Sequence, residues 1–283
     1  MATFYNQATL SYNGTVTNSN VITGELLEVL SGDKQAVGET YTGNEDITYV
    51  ISMVNSGTVP LTGISVTDNL GAYQYDGTTV YPLTYVENTV TYYVNGTVQS
   101  TPAVTAGPPL VISGLNIPAG GNAILLYRAQ PNAFAPPQAG AAVTNVAAIS
   151  GTGLQADLEV SETVTAADVI QLGISKSMSP SVVTENGQLT YTFVIQNTGN
   201  VPAEPEDNVM VTDTFNPMLQ NLTVTWNGSV LTENTQYTYE ENTGAFATVA
   251  GMLTVPAASY SQETDGRWVI DSGVGVLQVT GTV

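Results

Sequence analysis

Lys34 and Lys176 are the only lysines in a chain of 283 residues, and they stand 142 positions apart. Each falls on what the local pattern predicts to be the first strand of a repeated body. An acid follows a Val-Thr pair in each body, at Asp68 and Asp213, and an asparagine stands in each of two look-alike hairpin segments, at Asn145 and Asn6. An amine, a carboxyl group and a carboxamide are the parts of an amide exchange. In a dry core the ammonium loses its hydration and becomes a neutral amine, while the carboxyl group is held protonated. The amine can then attack the carboxamide carbonyl, and ammonia leaves. Plainer roles exist for each residue. A strand-edge lysine discourages sheet-to-sheet pairing, an Asp in a turn bonds its own loop backbone, and an Asn satisfies a strand end.

The rest of the composition excludes most other chemistry. Cysteine and histidine are absent, which removes disulfides, the usual zinc and thiolate sites, and Ser-His-Asp or Cys-His catalysis. Twenty-four acidic groups against four basic ones give a net charge of −20, the wrong sign for nucleic acid and suited to a protein facing the outside medium. The acidic segments at Glu45-Asp46, Glu204 to Asp207 and Glu240-Glu241 lack EF-hand spacing and read as solvated loops, so no metal and no cofactor is expected. Asn13, Asn95, Asn221 and Asn227 lie in Asn-x-Ser/Thr sequons, a frequent accident in Asn- and Thr-rich chains. The 15 tyrosines with Trp226 and Trp268 are expected in core and cross-strand packing.

At the level of elements, Val, Thr, Tyr and Ile alternate with polar residues between Gly and Pro punctuation, the pattern of many short strands. No apolar run is long enough to span a bilayer. The first residues show no basic-then-apolar signal segment, so export is expected with a leader outside this numbering or by another route, such as release of a spore. A repeat organises the whole. Ile47-Thr48-Tyr49-Val50-Ile51 through Asn55-Ser56-Gly57 matches Leu189-Thr190-Tyr191-Thr192-Phe193 through Asn197-Thr198-Gly199 at the lysine offset, and Val59-Pro60 matches Val201-Pro202. Val66-Thr67-Asp68 returns as Val211-Thr212-Asp213, three residues late, after an acidic insertion around Glu204, Glu206 and Asp207. A second repeat aligns residues 6–25 with 145–164. Asn6, Ala8, Ser11, Gly14 and Val21 meet Asn145, Ala147, Ser150, Gly153 and Val160, with Gly at the expected turn of each hairpin.

"NSGTVPLTGISVTDNL" and "NTGNVPAEPEDNVMVTDTF" resemble the core signature of the bacterial surface-repeat family known as domain of unknown function eleven, whose members are tandem Ig-like sandwiches on cell-surface and filament proteins. In that family an Asn-x-Ala-x-apolar segment resembles the strand that closes a repeat. The Lys, Asp and Asn set is similar to the spontaneous isopeptide triad of Gram-positive pilins and adhesins. That likeness implies a Lys34–Asn145 bond assisted by Asp68 within the first domain. It also implies a Lys176 bond to Asn6 of a neighbouring copy, assisted by Asp213.

The expected architecture is all-β: an N-terminal donor hairpin (residues 1–25), a first Ig-like antiparallel sandwich (26–168) and a second (169–283), with Greek-key character. The order reads hairpin, body, hairpin, body, so the second body is expected to lack a closing hairpin while a spare one leads the chain. A sandwich short of a hairpin exposes unpaired backbone and an apolar groove, and a hairpin alone is marginal. Ala8, Leu10, Val16 and Val21 are the expected donor side chains, entering the groove of another copy by strand addition. Donor and acceptor are different surfaces, so the contact propagates as an open fibre. The expectation is thus a non-enzymatic subunit of an extracellular, cell- or spore-surface filament. Its partner is itself, and its chemistry at most autocatalytic. A monomeric surface adhesin or ligand-binding module is the alternative.

Overall fold

The computed structural model describes residues 2–26, 28–43 and 45–283. The chain is all-β apart from one 3₁₀ turn, and it divides into two compact units, Met1–Ala135 with Ala142–Val164, and Pro136–Ala141 with Thr165–Val283. Among the described residues no helix is long and apolar enough to cross a membrane.

The leading segment folds on itself. Strands β1 (Ala2–Asn6), β2 (Thr9–Tyr12), β3 (Thr15–Asn18) and β4 (Ile22–Leu26) form two short ladders, β1 with β4 and β2 with β3. Asn13 and Gly14 make the turn with φ of 43° and 77°, the two-residue geometry that matches strand twist and that Asn-Gly supplies at least cost. Ser19 pins the junction of the ladders: the Ala8 N–H donates to its Oγ at 3.0 Å and the Gln7 side chain donates to its carbonyl at 2.7 Å. Neither ladder extends into any larger sheet among the described residues. Phe4, Tyr5, Leu10, Tyr12, Val16, Val21 and Ile22 are all more than half exposed.

The first sandwich runs through β5 (Leu30–Val37), β6 (Thr40–Tyr41), β7 (Ile47–Asn55), β8 (Leu61–Asp68), β9 (Tyr73–Tyr75), β10 (Thr78–Val80) and β11 (Leu83–Tyr85). It continues with β12 (Thr91–Val94), β13 (Thr97–Val98), β14 (Ala103–Thr105), β15 (Leu110–Ile117), β16 (Asn122–Pro131), β17 (Ala142–Ser150) and β18 (Leu158–Ala166). One sheet has the order β13-β12-β16-β7-β5, and the facing one β14-β15-β8-β17-β18-β6. Strict alternation in β7 sends Tyr49, Ile51 and Met53 inward and turns Val50, Ser52 and Val54 to the outer face, the period-two pattern of a sheet with one buried face. Asn55 ends β7 and ties the following turn, with its Nδ2 donating to the Val59 carbonyl and its Oδ1 accepting from Gly57 N–H. The hairpin β17–β18 is closed by a loop from Gly151 to Asp157. Gly153 therefore sits in a longer connection than Gly14 does, although both have positive φ.

The second sandwich comprises β19 (Leu172–Ser179), β20 (Gln188–Asn197), β21 (Thr212–Thr214), β22 (Gln220–Trp226), β23 (Ser229–Val230), β24 (Tyr237–Glu240), β25 (Ala245–Thr248), β26 (Ser259–Gln262), β27 (Trp268–Asp271) and β28 (Gly273–Thr282). One sheet has the order β19-β20-β28-β22-β23, and the opposing one is only β21-β25-β24. Their core holds Tyr191, Phe193, Phe215, Phe246, Leu277 and Val279. The acidic insertion forms the 3₁₀ turn Pro205–Asp207, where the Glu204 N–H donates to Asp207 Oδ2 at 2.8 Å. One of its acids, Asp207, thus caps its own turn. Among the described residues no cluster of acidic side chains is arranged to hold a metal ion.

Candidate functional site: two lysine–acid pairs, one closed and one open

In the first unit β5 delivers Lys34 to the core. Alternation on β5 puts Leu30, Gly32 and Lys34 on the inward face, opposite Asn55, Met53 and Ile51 of β7. Lys34 is 1% exposed, and its Nζ donates to Asp68 Oδ2 at 2.6 Å. The Nζ also lies 4.9 Å from the Tyr49 ring centre and 6.0 Å from that of Tyr127. Burial holds the Lys34 pKa below the usual lysine range, with the nearby Asp68 charge working against that shift.

Asp68, at the end of β8, is fully buried and accepts three hydrogen bonds. Lys34 and the Tyr127 hydroxyl share Oδ2, and the Leu70 N–H reaches Oδ1 at 2.8 Å. β17 pairs with β8 so that Ala147 lies opposite Asp68. This register brings the buried Asn145 to the Tyr127 hydroxyl, with Nδ2 at 3.4 Å, and lets the Gly71 N–H donate to its Oδ1 at 3.3 Å. Lys34, Asp68, Tyr127 and Asn145 thus form one hydrogen-bonded chain. Tyr49 stacks on Tyr127 with ring centres 5.6 Å apart. Its hydroxyl is buried beside the Asn145 side chain, without a hydrogen bond of normal geometry. Desolvation drives both tyrosine pKa values upward, so both hydroxyls remain neutral, and that of Tyr127 donates to Asp68.

The site holds an amine, a carboxyl group and a carboxamide in one buried hydrogen-bonded chain, with Tyr127 standing between Asp68 and Asn145. Burial disfavours the ammonium form of Lys34, the form that cannot act as a nucleophile. The Gly71 N–H donates to the carboxamide oxygen, where an oxyanion-type donor would stand. A side chain at position 71 would put its Cβ 2.5 Å from Val143 Cγ1, and the backbone there has φ of 72°; both require glycine. Reading the sequence through its repeat misses Tyr127 and Gly71, whereas Tyr49 is repeated as Tyr191 and reads as an inward strand residue. Tyr127 lies opposite Tyr49 between β16 and β7, and the matching place opposite Tyr191 between β28 and β20 holds Val279. A residue present in one copy alone sends no signal through a repeat.

In the second unit Lys176 and Asp213 meet in the same way, through Nζ and Oδ2. Lys176 lies over the rings of Tyr191, Phe193 and Phe215 at 4.4, 5.4 and 5.4 Å. The site is open, however: the two side chains are 39% and 19% exposed. In the first unit β8 has β15 on one side and β17 on the other. Here β21 has β25 on one side, and among the described residues no strand pairs with its other edge. The inward face of β19 is uncovered as a result. Leu172, Ile174, Lys176 and Met178 lie opposite the buried Asn197, Ile195, Phe193 and Tyr191 of β20, yet all four are exposed. Asn6, the remaining residue of the expected set, belongs to the leading hairpin in the other unit.

No family model and no curated protein matches this chain, so the likeness to the surface-repeat family stands on its motifs. Among solved structures it is similar to BcpA, the major pilin subunit of Bacillus cereus, at 14% identity over 96% of this chain and 73% of that one, with TM-score 0.36. It is also similar to the pilus backbone RrgB from Streptococcus pneumoniae, at 12% identity over 86% of this chain and 55% of that one, with TM-score 0.35. The collagen-binding domain from a Staphylococcus aureus adhesin is similar over 50% of this chain and 99% of its own length, at 12% identity and TM-score 0.29.

Proposed function

We propose that this chain is the repeating subunit of an extracellular filament, in which the leading hairpin of one copy closes the second sandwich of the next. One observation carries the reading. The same lysine–acid pair occurs twice, covered by an Asn-bearing strand in the first unit and lying beside a free strand edge in the second, while a hairpin of the covering type stands with its apolar side chains in solvent. β1–β2 enters as β17 does, so that Ala8 lies opposite Asp213 and Asn6 reaches Lys176. The added strand satisfies the β21 edge and buries the β19 face. Head and tail are different surfaces, so each addition presents a fresh acceptor.

Two covalent bonds lock the assembly. Lys34 Nζ attacks Asn145 Cγ, the new C–N bond forms, and the Cγ–Nδ2 bond breaks. Asp68 passes the amine's proton to the leaving nitrogen, which departs as ammonia. Lys176, Asp213 and Asn6 of the neighbouring copy perform the same exchange, so that copies are joined by amide bonds. Intact-mass measurement should find each bond as the loss of one ammonia, and boiled fibres should run as a ladder in denaturing gels. Full-mass monomer after boiling ends the covalent claim, and a compact 29.6 kDa species at every concentration returns the chain to the adhesin reading.

A further inference from the structure

A chain with two hairpins of one pattern and two lysine sites of one pattern has to match them correctly, and specificity of that kind calls for a clash against the wrong pairing as well as a fit for the right one. The inward position two residues before Lys34 is Gly32. A Cβ there would stand 3.2 Å from Leu158 Cδ2, 3.2 Å from the Ser52 carbonyl oxygen and 3.3 Å from Ile149 Cδ1, so the closing hairpin of the first sandwich packs tightly over that glycine. The corresponding position before Lys176 is Ile174, which is 60% exposed. A bond between the Thr144 and Thr163 hydroxyls at 2.8 Å marks the β17–β18 register, which carries Ile149 to a place opposite Leu158. In the leading hairpin the residue matching Ile149 is Leu10, and opposite Leu10 is Thr17. Bulk has changed sides: glycine under an Ile–Leu pair in the first sandwich, isoleucine awaiting a Leu–Thr pair in the second.

We propose that this exchange of size between Gly32 with Leu158 and Ile174 with Thr17 determines which hairpin each sandwich accepts; it rests on the donor-hairpin reading above. A hairpin of the β17–β18 kind brought to the second sandwich drives Leu158 into Ile174, and close-packed cores tolerate such overfilling poorly. The leading hairpin brought to the first sandwich leaves a void where Leu158 stood. The chain's own parts thereby favour the occupant that arrives from a second copy and discourage exchange of the internal hairpin between chains.

The test uses the full chain with Thr17→Leu, Ile174→Gly and the two combined. Thr17 and Ile174 are exposed in the single chain, and circular dichroism of the monomers checks that each variant folds. T17L should slow fibre growth, followed by light scattering and negative-stain microscopy, by roughly ten- to hundredfold. I174G should weaken growth through the cavity it leaves. The double variant rebuilds the glycine-under-leucine arrangement of the first sandwich and should recover most of the parent rate. Parent fibres with an unaffected T17L variant, or a folded double variant no better than T17L, overturn the size match alone. A parent that remains monomeric overturns the donor reading and this inference together, whatever fills the groove.

Discussion

Asp68 carries three donors in a place without water, and the energetics of the first site turn on it. Taking an ammonium out of water costs several kcal/mol, and Asp68 offsets that cost through the 2.6 Å contact to Lys34. Asp68→Ala should therefore destabilise the unlinked chain by about 3–5 kcal/mol and leave intact mass unchanged at that bond. Asn145→Ala removes the carboxamide that the proposed bond needs and exposes the titration of Lys34. The folded pKa of Lys34 lies below its ordinary 10.5 because of burial, so the unfolded chain binds more protons over the window beneath that value, and stability rises with pH there. The window closes at about pH 10, where the buried Tyr49 and Tyr127, whose folded pKa values are raised, begin to favour the unfolded state instead. The denaturant midpoint of Asn145→Ala should climb with pH in the window just beneath that limit; a flat or falling profile there contradicts a desolvated lysine.

At the scale of elements, the contrast lies between β5 and β19. Both alternate, both carry a lysine at the matched position, and β5 pairs with β7 in the same register as β19 with β20. Leu30 is nevertheless buried and Leu172 exposed, because what covers a strand's inward face belongs to the opposite sheet. Asn6→Ala separates docking from bonding at this level. In the proposed fibre the Asn6 side chain supplies the carboxamide and little of the buried area, so fibres should still grow while boiling in detergent returns them to monomers. Covalent ladders from that variant exclude Asn6 as the acyl group. The hairpin itself was legible in the sequence through Asn13-Gly14 flanked by alternating residues. That its two ladders meet at Ser19 was not, because that junction depends on hydrogen bonds from Ala8 and Gln7 rather than on periodicity.

At the scale of the whole molecule, a net charge of −20 sets copies against one another before they dock. The Debye length shrinks from about 30 Å at 0.01 M salt to about 8 Å at 0.15 M, so growth should speed up several-fold over that range; a slowing would point to an attractive charged interface instead. The repeat at an offset of 142 and the all-β class were determined by the sequence itself, since strand periodicity and repeat spacing survive without coordinates. The tertiary structure alone decided that one lysine is sealed and the other open, that Tyr127 and Gly71 complete the sealed site, and that Gly32 lies under Leu158. Burial and contact are properties of elements meeting from distant parts of the chain, and no local pattern encodes which face finds a cover.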